Sequence, residues 1–137
     1  MISGSLVDPS GDVCVSNFAS RKEKMVAPFR GTFKGTIADL KDIDYSSNGN
    51  MVRYFKLVDV VGNYIECCAA RHNANSVALK NNYEVILYFA SGRPQMGTSP
   101  STLFVMKEGV IMPLGLKMLP PLPQNHIEIR TRGGSAQ

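Results

Sequence analysis

The sequence predicts an all-β domain, a five-stranded barrel with one short helix between its third and fourth strands. Two observations carry that reading. Five segments of strand length are rich in β-branched and aromatic residues and are bounded by Gly, Asn, Ser and Pro. The one stretch with helical character between them, residues 74–79, makes about two turns and is too short to stand alone. A length of 137 residues, with 44% hydrophobic and 19% charged, is one ordinary domain able to bury a core without cross-links.

Residues 1–28 are a lead-in of turn formers with one short strand, "VCVSNF" (Val13 to Phe18), expected to pack against the body. The body spans 29–113. Its first strand, "GTFKGTIADLKDI", alternates through Phe33 and Ile37, and Gly35 marks a bulge or sharp coil. The polar loop "DYSSNGN" follows, rich in Ser, Asn and Gly. "MVRYFKLVDV" and "YIECCAA", joined at Gly62-Asn63, form strands two and three as an antiparallel hairpin.

After "RHNANSVALKNN", whose Ala74 to Leu79 run is the short helix, "YEVILYFASG" is strand four. "RPQMGTSPS" is a long loop, and "TLFVMKEGVIM" is strand five with a break at Gly109. Residues 114–137 read as a proline-rich and then polar tail, largely extended or mobile. The order β-β-β-α-β-β is that of the OB-fold, a Greek-key barrel whose second and third strands and flanking loops bind oligonucleotides.

Composition excludes several classes. No window approaches the ~20 apolar residues of a membrane span, and "MISGSLVDPSGDV" is not a signal peptide, so the expected location is intracellular. Cys14, Cys67 and Cys68 are an odd number, and no CxxC or HxxxH spacing accompanies His72 and His126. A disulfide framework and a metal site are therefore not assigned. No nucleophile with its base, paired carboxylates or phosphate-cradling loop has a recognisable signature, so neither catalysis nor a cofactor is expected.

The formal net charge of +4 fits a polyanionic partner. Its placement is more informative. Arg21, Lys22 and Lys24 precede the first strong strand, Lys34, Arg53, Lys56, Arg71 and Arg93 fall in or beside strands, and Arg130 and Arg132 lie near the end.

The stretch 29–70 resembles the nucleic-acid-binding OB domains of the replication protein A large subunit. The resemblance is carried by "YFKLVDVVGNYIECCAA", an aromatic, then Leu-x-Asp ending on a turn glycine, then Ile with alternating small or apolar residues. "YEVILYFASGRPQMGTSPSTLFV" is similar to that family's fourth strand, arginine-containing loop and fifth-strand entry. The likeness covers about residues 29–107. It implies single-stranded DNA binding in replication or repair, within a larger complex, and a nuclear location if the source is eukaryotic. The chain departs from the family in having "CCAARH" where an aromatic often follows strand three, in lacking tryptophan, and in lacking the four-cysteine zinc module.

Alternation places Phe55 and Leu57 inside, with Arg53 in the same phase but near the strand entrance, where it escapes to the rim. Tyr54, Lys56 and Tyr64 fall on the outer face. Recognition of single strands needs a π-face for stacking and cations along the backbone. Tyr54, Tyr64 and Tyr88 supply the first; Lys34, Arg53, Lys56, Arg71 and Arg93 supply the second, with Gln95 beside Arg93 at a loop tip. The same residues also have a plainer explanation: tyrosine packs well on a pleated surface and strand lysines deter edge pairing. Three partners follow as expectations: single-stranded DNA first, RNA on the same face, or a protein if the barrel is an assembly module. The copy of "RTRGG" and the "PPLP" segment are read as a solvated terminus and a domain end.

Overall fold

The computed structural model describes residues 14–20, 25–118 and 125–131. Val13, Arg21, Lys22, Lys24, the "PPLP" segment, Arg132 and the end of "RTRGG" lie outside the described residues. The strands are β1 (Cys14–Val15), β2 (Val26–Ala27), β3 (Arg30–Ala38), β4 (Asp44–Tyr45), β5 (Met51–Val58), β6 (Asn63–Ala70), β7 (Tyr83–Arg93), β8 (Thr102–Val105), β9 (Val110–Leu116), β10 (Asn125–His126) and β11 (Arg130–Thr131).

Five of them close a barrel. β3 runs antiparallel to β5, β5 to β6, β8 to β7 and β7 back to β3, while β6 and β8 are parallel. Taking β3, β5, β6, β7 and β8 as the five expected strands, the order round the barrel is first, second, third, fifth, fourth and back to the first. That is OB-fold-like connectivity, as the order of elements predicts. The expected fifth strand is divided: β8 and β9 are separated by a turn in which Gly109 N–H donates to the Met106 carbonyl at 3.0 Å.

Closure depends on two irregularities. Between Gly31 and Phe33 on β3 the partner strand advances from Ala90 to Leu87, so β7 carries one extra residue. Phe89 lies inside that step at φ 59°, a left-handed conformation that bends the strand. The bulge is therefore on β7 and not at Gly35. Gly35 instead lets β5 cross closely, since a Cβ there would sit 2.8 Å from Leu57 Cγ and from the Val58 carbonyl oxygen.

The core follows the predicted alternation. Phe33, Ile37, Phe55, Leu57, Ile65, Cys67, Ala69, Val85, Leu87, Leu103 and Val105 fill the interior. Apolar burial of this kind supplies most of the stabilisation, at roughly 25 cal/mol per Å² removed from water.

Three expectations are corrected. The short helix at 74–79 is a 3-10 turn at Arg71–Asn75. Its side chains draw the backbone elsewhere: Asn73 Nδ2 donates to the Met106 and Gly109 carbonyls at 2.8 and 3.0 Å, and Ser76 Oγ accepts from Ala78 N–H at 3.1 Å. The first strand ends at Ala38 rather than running to residue 43, because Asp39 turns away at φ 51°. The described part of the tail is extended but paired: β9 runs through the boundary expected at 114, β10 lies parallel to the start of β6, and β11 lies parallel to β2. Ile127 and Ile129 between them enter the core, joining Phe18 and Met25 of the lead-in.

Candidate nucleic-acid interface

Register sets side chains in rows across the outer face of the barrel. Tyr54 on β5 is opposite Cys68 on β6, Cys68 is opposite Phe104 on β8, and Phe104 is opposite Ser91 on β7. The adjacent row is Lys56, Glu66, Thr102 and Arg93. Val58, Tyr64 and His126 make a third.

In the first row Tyr54 is 42% exposed, whereas Cys68 has no accessible surface. Cys68, in phase with the outward Tyr64 and Glu66, is thus a fully covered thiol in the outer row. Burial raises the Tyr54 phenol above its ordinary value, and the Cys68 thiol adds to the shift. Burial likewise pushes the Cys68 thiol up, so it is not a reactive thiolate. Phe104 at the row's far side is half-buried and carries the Arg93 guanidinium 4.9 Å from its ring centre. The ring and cation are arranged for a cation–π contact.

The second row is less cationic than its sequence implies. Lys56 Nζ lies 2.8 Å from the Asp39 carboxylate and 4.8 Å from the centre of the Tyr64 ring. The hydrogen bond to Asp39 holds the Lys56 ammonium above its ordinary pKa and the Asp39 carboxyl below its own. Tyr64 also meets His126, with ring centres 5.3 Å apart, so the lysine and the tail together occupy it. Arg71 and Arg93 are in no ion pair among the described residues.

Two loops border the face. The first, residues 39–50, is fixed to β5: Arg53 Nε donates to the Lys41 carbonyl at 2.7 Å and Lys41 N–H donates to the Tyr54 carbonyl at 2.9 Å. Arg53 therefore positions the loop, while Tyr45 within it is 63% exposed. The second, residues 94–101, turns tightly at Met96 to Ser99, where Ser99 N–H donates to the Met96 carbonyl at 2.8 Å and Gly97 adopts φ 56°. Gln95 and Met96 are exposed on it. Arg71 follows Ala70, opposite Val52, at the end of β6, with its side chain exposed.

Of the nine residues expected to form the site, the register brings Tyr54, Lys56, Tyr64 and Arg93 onto one surface, with Arg71 and Gln95 at its borders and Arg53 engaged with the Lys41 carbonyl of the first loop. Lys34 and Tyr88 lie elsewhere. Lys34 is opposite Ile86 and 3.9 Å from Glu84, beside a cleft of about 260 Å³ that Val58, Asp59 and Lys117 also line. Tyr88 is opposite Val110, on the part of β7 paired with β9. Alternation along one strand shows which face a residue takes; which strands are neighbours depends on barrel closure.

Phe104 and Tyr45 are the side chains that sequence reasoning missed. Phe104 was legible in part, because it sits between core residues Leu103 and Val105 and so points outward. Its place beside Cys68 depends on the parallel pairing of β6 and β8, which has no local signal.

Fold and surface together define the class: a closed five-stranded β-barrel with OB-fold-like connectivity and an outer face of aromatic side chains and arginine. No protein-family model matches the sequence, and no curated protein does.

Proposed function

We propose that the protein binds single-stranded nucleic acid, DNA in preference to RNA, across the outer face of β5, β6 and β8. The observation that carries this reading is the row of Tyr54, Cys68 and Phe104 with Arg93 over the Phe104 ring, set between the two bordering loops. Tyr54 offers an exposed ring and Phe104 a partly covered one, so bases stack on Tyr54 first, with each base contributing about 1–3 kcal/mol. Arg93 and Arg71 meet backbone phosphates, and each phosphate neutralised changes the logarithmic salt slope by about −0.7. Preference for DNA rests on the replication protein A resemblance.

The test is fluorescence anisotropy of labelled oligo-dT, mixed-sequence single-stranded DNA and matching RNA, at low and moderate salt. Tyr54→Ala, Phe104→Ala and Arg93→Ala are titrated alongside. Micromolar or tighter binding that weakens with salt and in all three variants is expected. Absence of binding to every strand at low salt, with folded protein, would overturn the proposal.

A further inference from the structure

The outer face of the barrel is covered at one end and bare at the other. At the first end His126 and Lys56 both lie against the Tyr64 ring, and Lys56 is tied to Asp39. At the second, the row beyond Tyr54 and Cys68 is Val52 and Ala70, with Met106 one residue past the pairing of Ala69 with Val105. Ala70 is small and buried and Met106 is 39% exposed, so the surface next to Phe104 is a low apolar shelf.

Two turns meet beyond the shelf. Asn73, buried in the 3-10 turn, donates through Nδ2 to the Met106 and Gly109 carbonyls at 2.8 and 3.0 Å, the two ends of the turn between β8 and β9. The turn carrying Lys107 is thereby fastened to the turn carrying Arg71. Both cations are exposed, and neither is in an ion pair among the described residues. Arg71 also adopts φ 57°, a left-handed conformation that glycine or asparagine takes at less cost, so backbone preference does not explain an arginine there. We propose that a single strand bound on Tyr54 and Phe104 continues onto this end, with Lys107 holding a backbone phosphate beside Arg71 and Met106 meeting a base. The inference rests on the nucleic-acid reading and extends its site.

Charge selects this direction. Along the β5 border Asp39, Asp42 and Asp44 stand against Lys41, Arg53 and Lys56, and between them and β7 Glu66 stands against Arg93. Each set cancels. At the two turns Arg30, Arg71 and Lys107 stand against Glu108 alone, and Glu108 lies 3.8 Å from Arg30 with both side chains half-exposed, a loose pair that solvent screens. The cationic excess of the face therefore lies at this end, where a polyanion gains most. The Met106 thioether, unbranched and polarizable, adapts its shape to whichever base arrives.

The test is the affinity of the full chain for labelled oligo-dT across a range of salt, with Lys107→Ala, Lys107→Arg and Lys41→Ala compared and Arg93→Ala as the reference for the face itself. Lys41 and Lys107 are both exposed, so neither substitution disturbs the core. Lys107→Ala is expected to weaken binding and to make the logarithmic salt slope shallower by about 0.7, the share of one phosphate. Lys107→Arg is expected to keep the wild-type slope, and Lys41→Ala, which removes the same charge at the β5 border, to leave affinity and slope unchanged. If Arg93→Ala weakens binding while Lys107→Ala does not, the face stands and its extension is overturned. A slope that responds as much to Lys41→Ala reports net charge or a path over the first loop, and overturns the extension too. A wild type that binds no oligo-dT at low salt overturns both the extension and the reading beneath it.

Discussion

The backbone N–H of Phe18 donates to the Asp59 carboxylate at 2.8 Å, joining residues 41 apart in sequence. Asp59 is 2% exposed and also accepts from Val61 N–H at 3.0 Å, Asn63 N–H at 2.9 Å and Asn63 Nδ2 at 3.2 Å. One side chain therefore shapes the turn between β5 and β6 and anchors the lead-in whose Phe18 ring meets Phe33 edge-on at 6.3 Å. The aspartate of "LVDVVGN" has a structural role, holding the hairpin that carries Tyr54 and Tyr64.

Replacing Asp59 by alanine leaves these donors without their acceptor. Asp59→Ala is expected to lower unfolding free energy by about 3 kcal/mol. Urea denaturation checks it, and a loss below about 1 kcal/mol would contradict the anchoring role.

Ile129 is 2% exposed in the returning C-terminal segment. Ile129→Ala is expected to cost about 2–5 kcal/mol, the range for a large core side chain cut to a methyl. A tail that merely lay along the surface would show almost no change in the same urea titration.

Gly35 allows β5 to approach β3, and an added methyl would meet the Val58 backbone oxygen at 2.8 Å. Backbone cannot rotate aside as a side chain does. Gly35→Ala is expected to lose about 1–3 kcal/mol through overpacking. A thermal midpoint equal to that of the wild type would show that the strands separate without cost.

Asp39 restrains Lys56, so Asp39→Ala frees a cation on the proposed binding face. Tighter binding of single-stranded DNA at low salt is expected, with the logarithmic salt slope steeper by about 0.7 for one more phosphate contact. Unchanged affinity and slope would place Lys56 away from the bound backbone.

The same pair makes a modest pH dependence. Asp39 has its carboxyl held low by Lys56, so its contribution is present above the ordinary carboxylate range near pH 4 and disappears as pH falls through the lower folded value. Lys56 is held high, so its part is complete below the ordinary lysine range and disappears as pH rises through its raised value. With Asp39 54% exposed, solvent screening limits the effect to below about 1 kcal/mol. Stability profiles of the wild type and Asp39→Asn against pH are expected to converge in acid.

The strand hairpin was legible because its signals are local. Phe55, Leu57, Ile65 and Cys67 alternate with Tyr54, Lys56, Tyr64 and Glu66, and Gly62, at φ 94°, marks the turn. The 3-10 turn was harder to read: Asn73 uses its side chain on the Met106 and Gly109 carbonyls, more than thirty residues away, and no helical periodicity records that. The paired tail was missed for a similar reason, since Ile127 and Ile129 are isolated apolar residues in a polar stretch. Cys68 has outward parity, yet it is buried in the row between Tyr54 and Phe104.

By itself the sequence determined the five barrel strands, their inward faces and the all-β class, because side-chain alternation and turn chemistry act over a few residues. Beyond that hairpin, tertiary structure decided which strands pack side by side. Closing the barrel brought Phe104 beside Cys68 and Arg93 over Phe104, put Tyr88 on the β9 side, and let Asp39 claim Lys56. Those pairings join residues distant along the chain, and they form because the core can be sealed from water only when the sheet closes on itself.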